Sequence, residues 1–357
     1  MELKKKPIRI KDIAELAGVS AGTVDRVLHS RGEVSQESKE KVEKVLRELN
    51  YKPNVFASAL ASKRKEHKFV YMMPIHSPGD YWDSIESGIR KAEREYLSVN
   101  VVLQPVLFDQ YDVDSFKRAV QVALNHEPQA ILLAPVFRDE TVQFLKELNF
   151  RSIPYVFFDS RIEGENSFAY YGQDSFKSGY LACKLMMTSV PKGSEIVLFH
   201  SKRHGIFSNQ TAVRKEGFLK CAQEMELEYQ IHTIEIPIND EIEAKYQIES
   251  LLRNYPNTRG AVIFNSRSYL IGENLDMLDG KKLQVIGFDA LEKNVECLKR
   301  GTIQYLIGQR PEIQGYKSVK VLCDGIIFKQ PVTAVNYMPL DILTADNIDY
   351  YCDFEYM

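Results

Sequence analysis

A chain of 357 residues is too long for one small core, so two or three folding units are expected. Its hydrophobic fraction of 44% and charged fraction of 27% are typical of a soluble globular protein, and no apolar run is long enough to predict a membrane span or a secretory leader. The five cysteines are far apart and form no C-x-x-C pair, which predicts a reducing compartment, no metal site and no cofactor.

Charge is divided unevenly along the chain. Residues 1–68 contain sixteen Lys or Arg residues against ten Asp or Glu residues, whereas the remainder contains thirty against thirty-nine. A basic segment ahead of an acidic one indicates that only the first meets a polyanion. A solvated charged helix would give the same balance, so charge alone leaves both interpretations open.

Residues 7–61 show the apolar spacing of three short helices. The apolar positions are Ile10, Ile13, Ala14 and Ala17, then Val24, Val27 and Leu28, then Val42, Val45, Leu46 and Leu49. Gly18 ends the first helix, and Ser20 and Ser35 are suitable caps for the next two. Three such helices with a glycine in the first turn form a helix-turn-helix unit, whose second helix enters the major groove of DNA. A three-helix bundle that binds protein is the alternative.

The second predicted helix turns one face away from this small core, and that face carries the candidates for DNA contact. They are Ala21, Gly22, Asp25, Arg26 and His29. Arg26 is the candidate for base reading, because a guanidinium can donate to both O6 and N7 of guanine. Ser20 and Thr23 suit phosphate contacts at the start of the helix.

From Phe69 onward, apolar runs alternate with amphipathic segments, which is the pattern of a doubly wound parallel sheet. About nine strand candidates exceed one sheet, so two such subdomains that share a cleft are expected. The sequence contains no G-x-x-x-x-G-K-[ST] or H-E-x-x-H motif, and we therefore do not expect an enzyme. An active site of another type in the cleft is the alternative.

Polar and aromatic residues follow the predicted strands, where doubly wound sheets bind their ligands. The candidates for effector contact are Tyr81, Trp82, Asp159, Arg161, Arg214, Asn265, Asp289 and Gln309. Carboxylate, amide and guanidinium groups around aromatic rings fit a polyhydroxylated ligand. The two arginines could instead hold a carboxylate or a phosphate, and the rings could stack on a nucleobase, so sugar acids, sugar phosphates and nucleobases are alternatives.

The segment from Ile10 to Ala61 contains DIAELAGVS, TVDRVL, ELNYKPN and a closing A-x-x-L-A, and with these motifs it resembles the head of the LacI/GalR family of bacterial repressors. The resemblance implies that Ala21 and Gly22 help to choose the operator and that Arg26 reads a base. It also implies a hinge helix over 52–68 that folds when two copies meet on the operator. Its implied DNA contacts are Asn54, Ala57 and the minor-groove wedge Leu60. An ordinary linker is the alternative for this hinge.

Residues 69–345 resemble the periplasmic-binding-protein-like domain that this family shares with ribose-type sugar-binding proteins. The matching motifs are F-D-S-R, R-K-E-G-F, I-G-F-D and I-G-Q-R-P. The resemblance implies that Arg214, Asp289 and Gln309 contact the ligand. The family usually has Asn-Asp where this chain reads Asn265-Ser266-Arg267, so the register of Asn265 against the family motif is open. The choice between Ser160 and Arg161 as the effector contact is also open.

These observations together predict an all-α helix-turn-helix head joined by a hinge helix to an α/β body of two doubly wound subdomains. The expected boundaries are 1–51 for the head, 52–68 for the hinge and 69–357 for the body, whose subdomains are approximately 69–171 plus 310–340 and 172–309 plus 341–357. The expected function is a cytoplasmic regulator, a repressor of a carbohydrate-utilisation operon, that binds a palindromic operator as a homodimer and responds to a small sugar-like effector. A solute-binding protein without DNA function is the alternative.

Overall fold

The structure is a computed structural model that describes residues 10–28, 34–49, 66–202, 209–225, 229–237, 240–275 and 283–355. The chain divides into two units, Met1–Lys63 and Arg64–Met357. Within the described residues, no helix has the length and apolar character needed to cross a membrane.

Within residues 10–28 and 34–49 of the first unit, the structure has three helices: α1 (Ile10–Ala17), α2 (Ala21–Leu28) and α3 (Gln36–Glu48). Their apolar faces meet in a core centred on the fully buried Ile13, Val24 and Val42. At the start of α2, the hydroxyl oxygen of Ser20 accepts a hydrogen bond from the backbone N–H of Thr23 at 3.1 Å. At the start of α3, the hydroxyl oxygen of Ser35 accepts one from the backbone N–H of Ser38 at 3.3 Å. The predicted helices, their caps and their core are therefore confirmed.

The described residues of the second unit form two six-stranded sheets. The first sheet has the order β11-β5-β4-β3-β1-β2 and the second has the order β12-β10-β9-β8-β6-β7. The strands are β1 (His67–Pro74), β2 (Val101–Phe108), β3 (Ala130–Leu133), β4 (Tyr155–Asp159), β5 (Ala169–Gly172), β6 (Glu195–Lys202), β7 (Gln230–Pro237), β8 (Thr258–Ile263), β9 (Gln284–Phe288), β10 (Tyr305–Gly308), β11 (Val335–Tyr337) and β12 (Asp341–Leu343).

Helices cover the faces of both sheets. They are α4 (Tyr81–Tyr96), α5 (Val113–Asn125), α6 (Arg138–Phe150), α7 (Ser175–Ser189), α8 (Asn209–Glu224), α9 (Glu241–Asn254), α10 (Tyr269–Leu275), α11 (Glu292–Arg300), α12 (Pro311–Leu322) and α13 (Ile348–Glu355). A 3-10 turn, Leu97–Val99, follows α4, and a π-turn, Cys323–Ile327, follows α12. The two doubly wound sheets that the alternating pattern predicts are confirmed.

The edge of the second sheet departs from the expected parallel arrangement. Strand β12 pairs with β10 in the antiparallel direction, with Ile307 opposite Ile342, whereas the other strand pairs of both sheets are parallel. Twelve strands are described where the sequence predicted about nine. The short edge strands β11 and β12 have three residues each, which is too few for an alternation pattern to be recognised.

Two helix pairs pack with their backbones in direct contact, α4 against α12 and α7 against α8. A Cβ at Gly179 of α7 would overlap the carbonyl oxygen of Arg214 in α8, and a Cβ at Gly88 of α4 would overlap the carbonyl oxygen of Glu312 in α12. Glycine is needed at both positions for the close approach. The contact at Gly179 fixes the depth of α8, which carries several polar residues of the site below.

Three short segments connect the two sheets. The first follows β5 and contains residues 173–174, the second follows β10 and contains residues 309–310, and the third follows β11 and contains residues 338–340. We call them crossover 1, crossover 2 and crossover 3. Because the two sheets are connected only through them within the described residues, these crossovers lie where the two halves of the body can bend against each other.

Candidate functional site

A cavity of about 320 Å³ lies where the carboxyl ends of the strands of the two sheets face each other. Both sheets and the beginnings of α4 and α8 contribute to its wall. The lining residues are Ile75, Asp80, Tyr81, Trp82, Asp109, Gln110, Tyr111, Val136, Asp159, Ser160, Asn209, Gln210, Thr211, Asn265, Ser266, Arg267, Tyr269, Asp289 and Leu291. The wall is thus mainly polar with a few aromatic rings, as in sites that orient a small polar ligand.

Two aspartates hold equivalent positions in the two sheets. Asp159 ends β4 and Asp289 follows β9, each being the fourth strand along its sheet when counted from β2 or β7. Both have a φ of 67°, a left-handed conformation that aspartate tolerates better than most residues, and their exposed fractions are 5% and 4%. The shared geometry points both carboxylates to the same cavity.

A chain of hydrogen bonds joins these aspartates. The hydroxyl of Tyr81 donates to Oδ1 of Asp159 at 2.7 Å, and Nε2 of Gln210 donates to the same oxygen at 2.9 Å. Nε2 of Gln210 also donates to Oε1 of Gln309 at 3.1 Å, and Nε2 of Gln309 donates to Oδ1 of Asp289 at 2.7 Å. Five side chains from different elements therefore form one connected polar network, and such networks are rigid when their members are paired.

Burial dominates the electrostatics of this network. It raises the pKa of Asp159, and the hydrogen bond from Tyr81 and the charge of Arg214 oppose that shift. Burial also raises the pKa of Tyr81 well above its ordinary value, with the charges of Asp159 and Asp289 acting in the same direction. The pKa of Arg214 is lowered by burial, opposed first by Asp289 and then by Asp159. The guanidinium therefore compensates two desolvated carboxylates.

Arg214 lies directly behind the cavity wall and has no solvent exposure. Its Nη1 donates to the carbonyl of Phe264 at 2.9 Å, and its Cζ lies 4.0 Å from the ring centroid of Phe288. Its Nε and Nη2 atoms have no hydrogen-bond partner among the described residues. A buried donor without a partner is costly, so these two atoms favour a further hydrogen-bond acceptor.

Asn294 holds two of the lining loops in place. Its Nδ2 donates to the carbonyl oxygens of Ser266 at 2.8 Å, Asp289 at 3.0 Å and Phe288 at 3.1 Å. Its Oδ1 accepts from the backbone N–H of Tyr269 at 2.8 Å. One buried amide thus fixes the loops after β8 and β9 against each other and keeps Asp289 in its left-handed conformation.

The structure brings seven of the eight predicted effector residues together. Five of them line the cavity: Tyr81, Trp82, Asp159, Asn265 and Asp289. Trp82 packs edge-on against Tyr81 and Phe158, so its ring is held against the wall of the cavity. Gln309 and Arg214 lie behind the lining residues. Gln309 donates a hydrogen bond to Asp289, and the charge of Arg214 interacts with Asp289 and Asp159.

Arg161 is the exception among the predicted effector residues. Its guanidinium lies over the rings of Tyr170 at 5.7 Å and Tyr337 at 5.4 Å, and 3.5 Å from Glu163, away from the lining residues. Ser160 lines the cavity in its place. The chain turns sharply after β4 because Asp159 is left-handed, so the residue that follows it faces the cavity and the next one does not.

Sequence reasoning missed the beginning of α8 and the loop after β2. Asn209, Gln210 and Thr211 line the cavity, and Gln210 lies four residues before Arg214 on the same helix face. That spacing was visible in the sequence. Asp109, Gln110 and Tyr111 also line the cavity and follow β2, so the strand-end rule could have found them.

No group of three His, Cys, Asp or Glu side chains is clustered as a metal site within the described ranges. Cys183, Cys221, Cys297 and Cys323 are free thiols and buried.

Comparison with known families accounts for both units. Residues 9–54 match the family of bacterial regulatory proteins of the lacI type, and residues 69–330 match the periplasmic binding protein domain. A solved structure of a protein from Bacteroides fragilis, assigned as a LacI transcriptional regulator, is 36% identical, with a TM-score of 0.77 over 80% of this chain and 100% of that one. The chain belongs to the LacI family.

Other relatives of this LacI family member match over most of their length. The ribose operon repressor of Bacillus subtilis is 26% identical and covers 90% of this chain and 93% of its own. The sucrose operon repressor of Lactococcus lactis is 25% identical, and the match covers 80% of this chain and 84% of that repressor. GanP, a glucose-galactose binding protein from Geobacillus stearothermophilus, shares the fold of the body, with a TM-score of 0.69 and 22% identity.

As a member of the LacI family, the chain is a DNA-binding transcription regulator. In the first unit, Ser20, Ala21, Gly22 and Arg26 are exposed on α2 or at its start, whereas Val24 faces the core. Thr23 and Asp25 are half-buried. The other predicted DNA contacts, His29, Asn54, Ala57 and Leu60, lie outside the described residues.

Proposed function

We propose that this LacI family regulator represses a carbohydrate-utilisation operon and that a neutral monosaccharide, bound in the cavity between the two sheets, controls its affinity for the operator. The observation that carries the proposal is the polar network from Tyr81 to Asp289, in which two buried carboxylates and the amide of Gln210 line one small cavity and Gln309 joins them. Sugar hydroxyls both donate and accept, and carboxylates and amides serve both needs.

The charge of the cavity favours a neutral ligand. Among the residues that the structure describes, four carboxylates line it, those of Asp80, Asp109, Asp159 and Asp289, against one lining guanidinium, that of Arg267. Arg214 behind the wall already compensates Asp159 and Asp289. A sugar acid or a sugar phosphate would bring further negative charge into a site with an excess of it, which costs free energy at low dielectric.

The size of the cavity favours a monosaccharide. Its volume of about 320 Å³ lies at the lower end of the range of small-molecule sites. The relatives are repressors of a ribose operon and of sucrose operons by name, and the smaller of these two sugars fits the smaller volume better. The aromatic rings of Trp82 and Tyr269 can pack on the C–H face of a sugar ring.

The proposed control couples two sites through the body. Head, hinge and body are assigned to 1–51, 52–68 and 69–357, and two copies form the DNA-binding unit in the cytoplasm. A sugar that closes the cleft changes the relative position of the subdomains in the dimer and so the distance between the two hinge segments. Because twofold symmetry sets the spacing of half-sites, a small rotation misplaces both recognition helices on a palindromic operator.

The first experiment is a thermal-shift screen with D-ribose, D-arabinose, D-galactose, D-glucose, sucrose, D-gluconate and D-ribose 5-phosphate. A sugar at a hundred times its Kd stabilises the folded state by roughly 2.7 kcal/mol. We expect a neutral monosaccharide to give the largest shift. A larger shift from D-gluconate or D-ribose 5-phosphate would refute the charge argument.

The second experiment measures operator binding by fluorescence anisotropy, with duplexes from the protein's own chromosomal neighbourhood. We expect salt-sensitive binding that the stabilising sugar weakens. Asp289→Asn keeps the size and the tolerance of a left-handed backbone but removes a charge, so it should lower sugar affinity more than tenfold and leave sugar-free operator binding intact. Asp346→Ala, an exposed aspartate outside the cavity, is the control. Loss of operator binding in Asp289→Asn would make the residue structural.

A binding role also predicts that the sugar is recovered unchanged. Incubation of the stabilising sugar with the protein, followed by chromatography, should return the same compound in the same amount. Turnover of the sugar would replace the proposal with an enzymatic function.

A further inference from the structure

One buried side chain in crossover 1 contacts crossover 3 and the residue that directly precedes crossover 2. Gln173 lies in crossover 1 and is 1% exposed. Its Nε2 donates to the carbonyl oxygen of Gly308, where crossover 2 begins, at 2.6 Å, and to that of Pro339 in crossover 3 at 2.7 Å. Its Oε1 has no partner among the described residues, so the amide nitrogen alone makes the polar contacts of this side chain.

The backbone of Gln173 is tied to the first sheet. The hydroxyl of Tyr170 in β5 donates to the carbonyl oxygen of Gln173 at 2.6 Å and lies 3.3 Å from the carbonyl oxygen of Asp159. The backbone N–H of Met338 in crossover 3 donates to the carbonyl of Gly172 at 2.8 Å. Crossovers 1 and 3 therefore meet the end of β4, where the cavity carboxylate of Asp159 lies.

Crossover 2 is tied to the same place from the other side. Gln314 in α12 donates through Nε2 to the carbonyl oxygen of Gln309 at 2.8 Å and accepts at Oε1 from the backbone N–H of Asp159 at 3.1 Å. Gln309 follows Gly308 directly and donates to Asp289. A displacement of the carbonyl of Gly308 would therefore move Gln309 relative to both cavity carboxylates.

We propose that Gln173 is a positioning residue that joins the three crossovers into one pivot, so that closure of the cleft moves the two subdomains as rigid bodies and keeps Gln309 in place against Asp289. Three crossovers that bend independently could each take up part of the closing motion. The effect of ligand binding on operator affinity would then be reduced. Crossovers joined at one amide bend together. The inference rests on the proposed function for its effect on the operator, but not for the pivot itself.

The test uses Gln173→Met in the full-length chain. Methionine keeps the length and approximate volume of glutamine and removes both donated hydrogen bonds. Gln304→Met is the matched control, because Nε2 of Gln304 also donates to a backbone carbonyl, that of Gly301 at 2.7 Å, outside the crossovers. If Gln173→Met does not fold, Tyr170→Phe removes the hydroxyl that holds the Gln173 backbone and gives the second variant.

The first readout is amide hydrogen exchange by mass spectrometry without any sugar. In Gln173→Met, peptides that contain residues 309–310 and 338–340 should exchange at least tenfold faster than in the wild type, while peptides from β1 and β6 should not change. Gln304→Met should match the wild type in these crossover peptides. Unchanged exchange at the crossovers in a folded Gln173→Met, or in Tyr170→Phe where that variant is needed, would overturn the pivot.

The second readout is the coupling between sugar and operator, with the sugar of the thermal-shift panel that stabilises the wild type most. Gln173→Met should bind the operator without sugar within twofold of the wild type. The ratio of the operator affinity without sugar to the operator affinity with sugar should be at least fivefold smaller than in the wild type and should approach one. Faster exchange with an unchanged coupling ratio would make Gln173 merely structural and overturn the positioning role. Failure of every sugar to bind the wild type would instead refute the proposed function, and the exchange experiment would still decide the pivot.

Discussion

Gly179→Ala tests whether the backbone contact between α7 and α8 sets the geometry of the effector site. A Cβ at this position would overlap the carbonyl oxygen of Arg214 and lie 2.6 Å from its carbonyl carbon and 2.9 Å from its Cα. Ordinary van der Waals contact begins at 3.4 Å, so the carbonyl carbon must retreat by about 0.8 Å and the carbonyl oxygen, which is nearer, by more. The obstacle is backbone, which cannot rotate away, so α8 itself must move.

The expected loss of stability follows from two opposing effects. Overpacking of a close-packed core costs about 1–3 kcal/mol, and a clash with rigid backbone belongs at the upper end of that range. Alanine is a better helix former than glycine by about 1 kcal/mol, which offsets part of the cost. We therefore expect the free energy of unfolding of the body to fall by about 2 kcal/mol. The displacement of Arg214 should weaken sugar binding more than tenfold.

Urea denaturation followed by tryptophan fluorescence measures this stability directly, because Trp82 is the only tryptophan in the sequence and lies in the body. Isothermal titration with the stabilising sugar measures the affinity. Gly22→Ala in α2 is the control, since a Cβ there meets nothing closer than Oγ of Ser20 at 3.7 Å. The control should leave the fluorescence transition and the sugar affinity unchanged.

A wild-type denaturation midpoint and a wild-type sugar affinity in Gly179→Ala would refute this reasoning, because α8 would then be free to shift without cost. A stability loss with unchanged affinity would show that the position of Arg214 does not control the site.

Three further predictions concern other parts of the molecule. Burial raises the pKa of Asp159, so the contribution of this residue to stability is present at low pH and is lost as the pH rises through that raised pKa. Chemical denaturation between pH 4 and pH 7 should therefore show Asp159→Asn gaining stability relative to the wild type as the pH rises. Gln210→Ala removes the hydrogen bonds to Asp159 and Gln309, and because hydrogen bonds to charged groups contribute about 1.5–3 kcal/mol, sugar affinity should fall about tenfold or more in isothermal titration. Ser35→Ala removes the cap of α3 and should destabilise the head by about 1 kcal/mol, seen in circular dichroism but not in tryptophan fluorescence.

Each of these predictions has an outcome that contradicts it. A constant difference between Asp159→Asn and the wild type across the pH range would mean that the carboxyl titrates as it does in the unfolded chain. Wild-type sugar affinity in Gln210→Ala would remove this residue from the site. An unchanged head transition in Ser35→Ala would show that the hydroxyl does not contribute to the stability of α3.

The helices and most strands could be predicted because their causes are local. The apolar spacing of α1 to α3 and the capping serines lie within a few residues of each other, and their outcome depends on helical geometry alone. The buried strands β1, β4, β6 and β9 are continuous apolar runs bounded by polar residues, which is sufficient for recognition. The three-residue strands β11 and β12 exist only because a neighbouring strand pairs with them.

The site divides in the same way. The strand-end rule found both carboxylates, Asp159 and Asp289, because the position of a residue after a buried strand is a property of the sequence. It could not separate Ser160 from Arg161, since that depends on the left-handed backbone at Asp159. It also could not show that Gln210 joins Asp159 to Gln309, because these residues come from three elements.

We could infer the order of the elements, the helix-turn-helix and the residues available at the strand ends from the chain alone, because each of these depends on near neighbours along it. Long-range packing settles which of those residues meet, how deeply α8 packs against Gly179, and that one amide at Gln173 reaches both Gly308 and Pro339. These contacts join positions up to 166 residues apart, and their geometry is set by the packing of whole helices and sheets rather than by any local pattern.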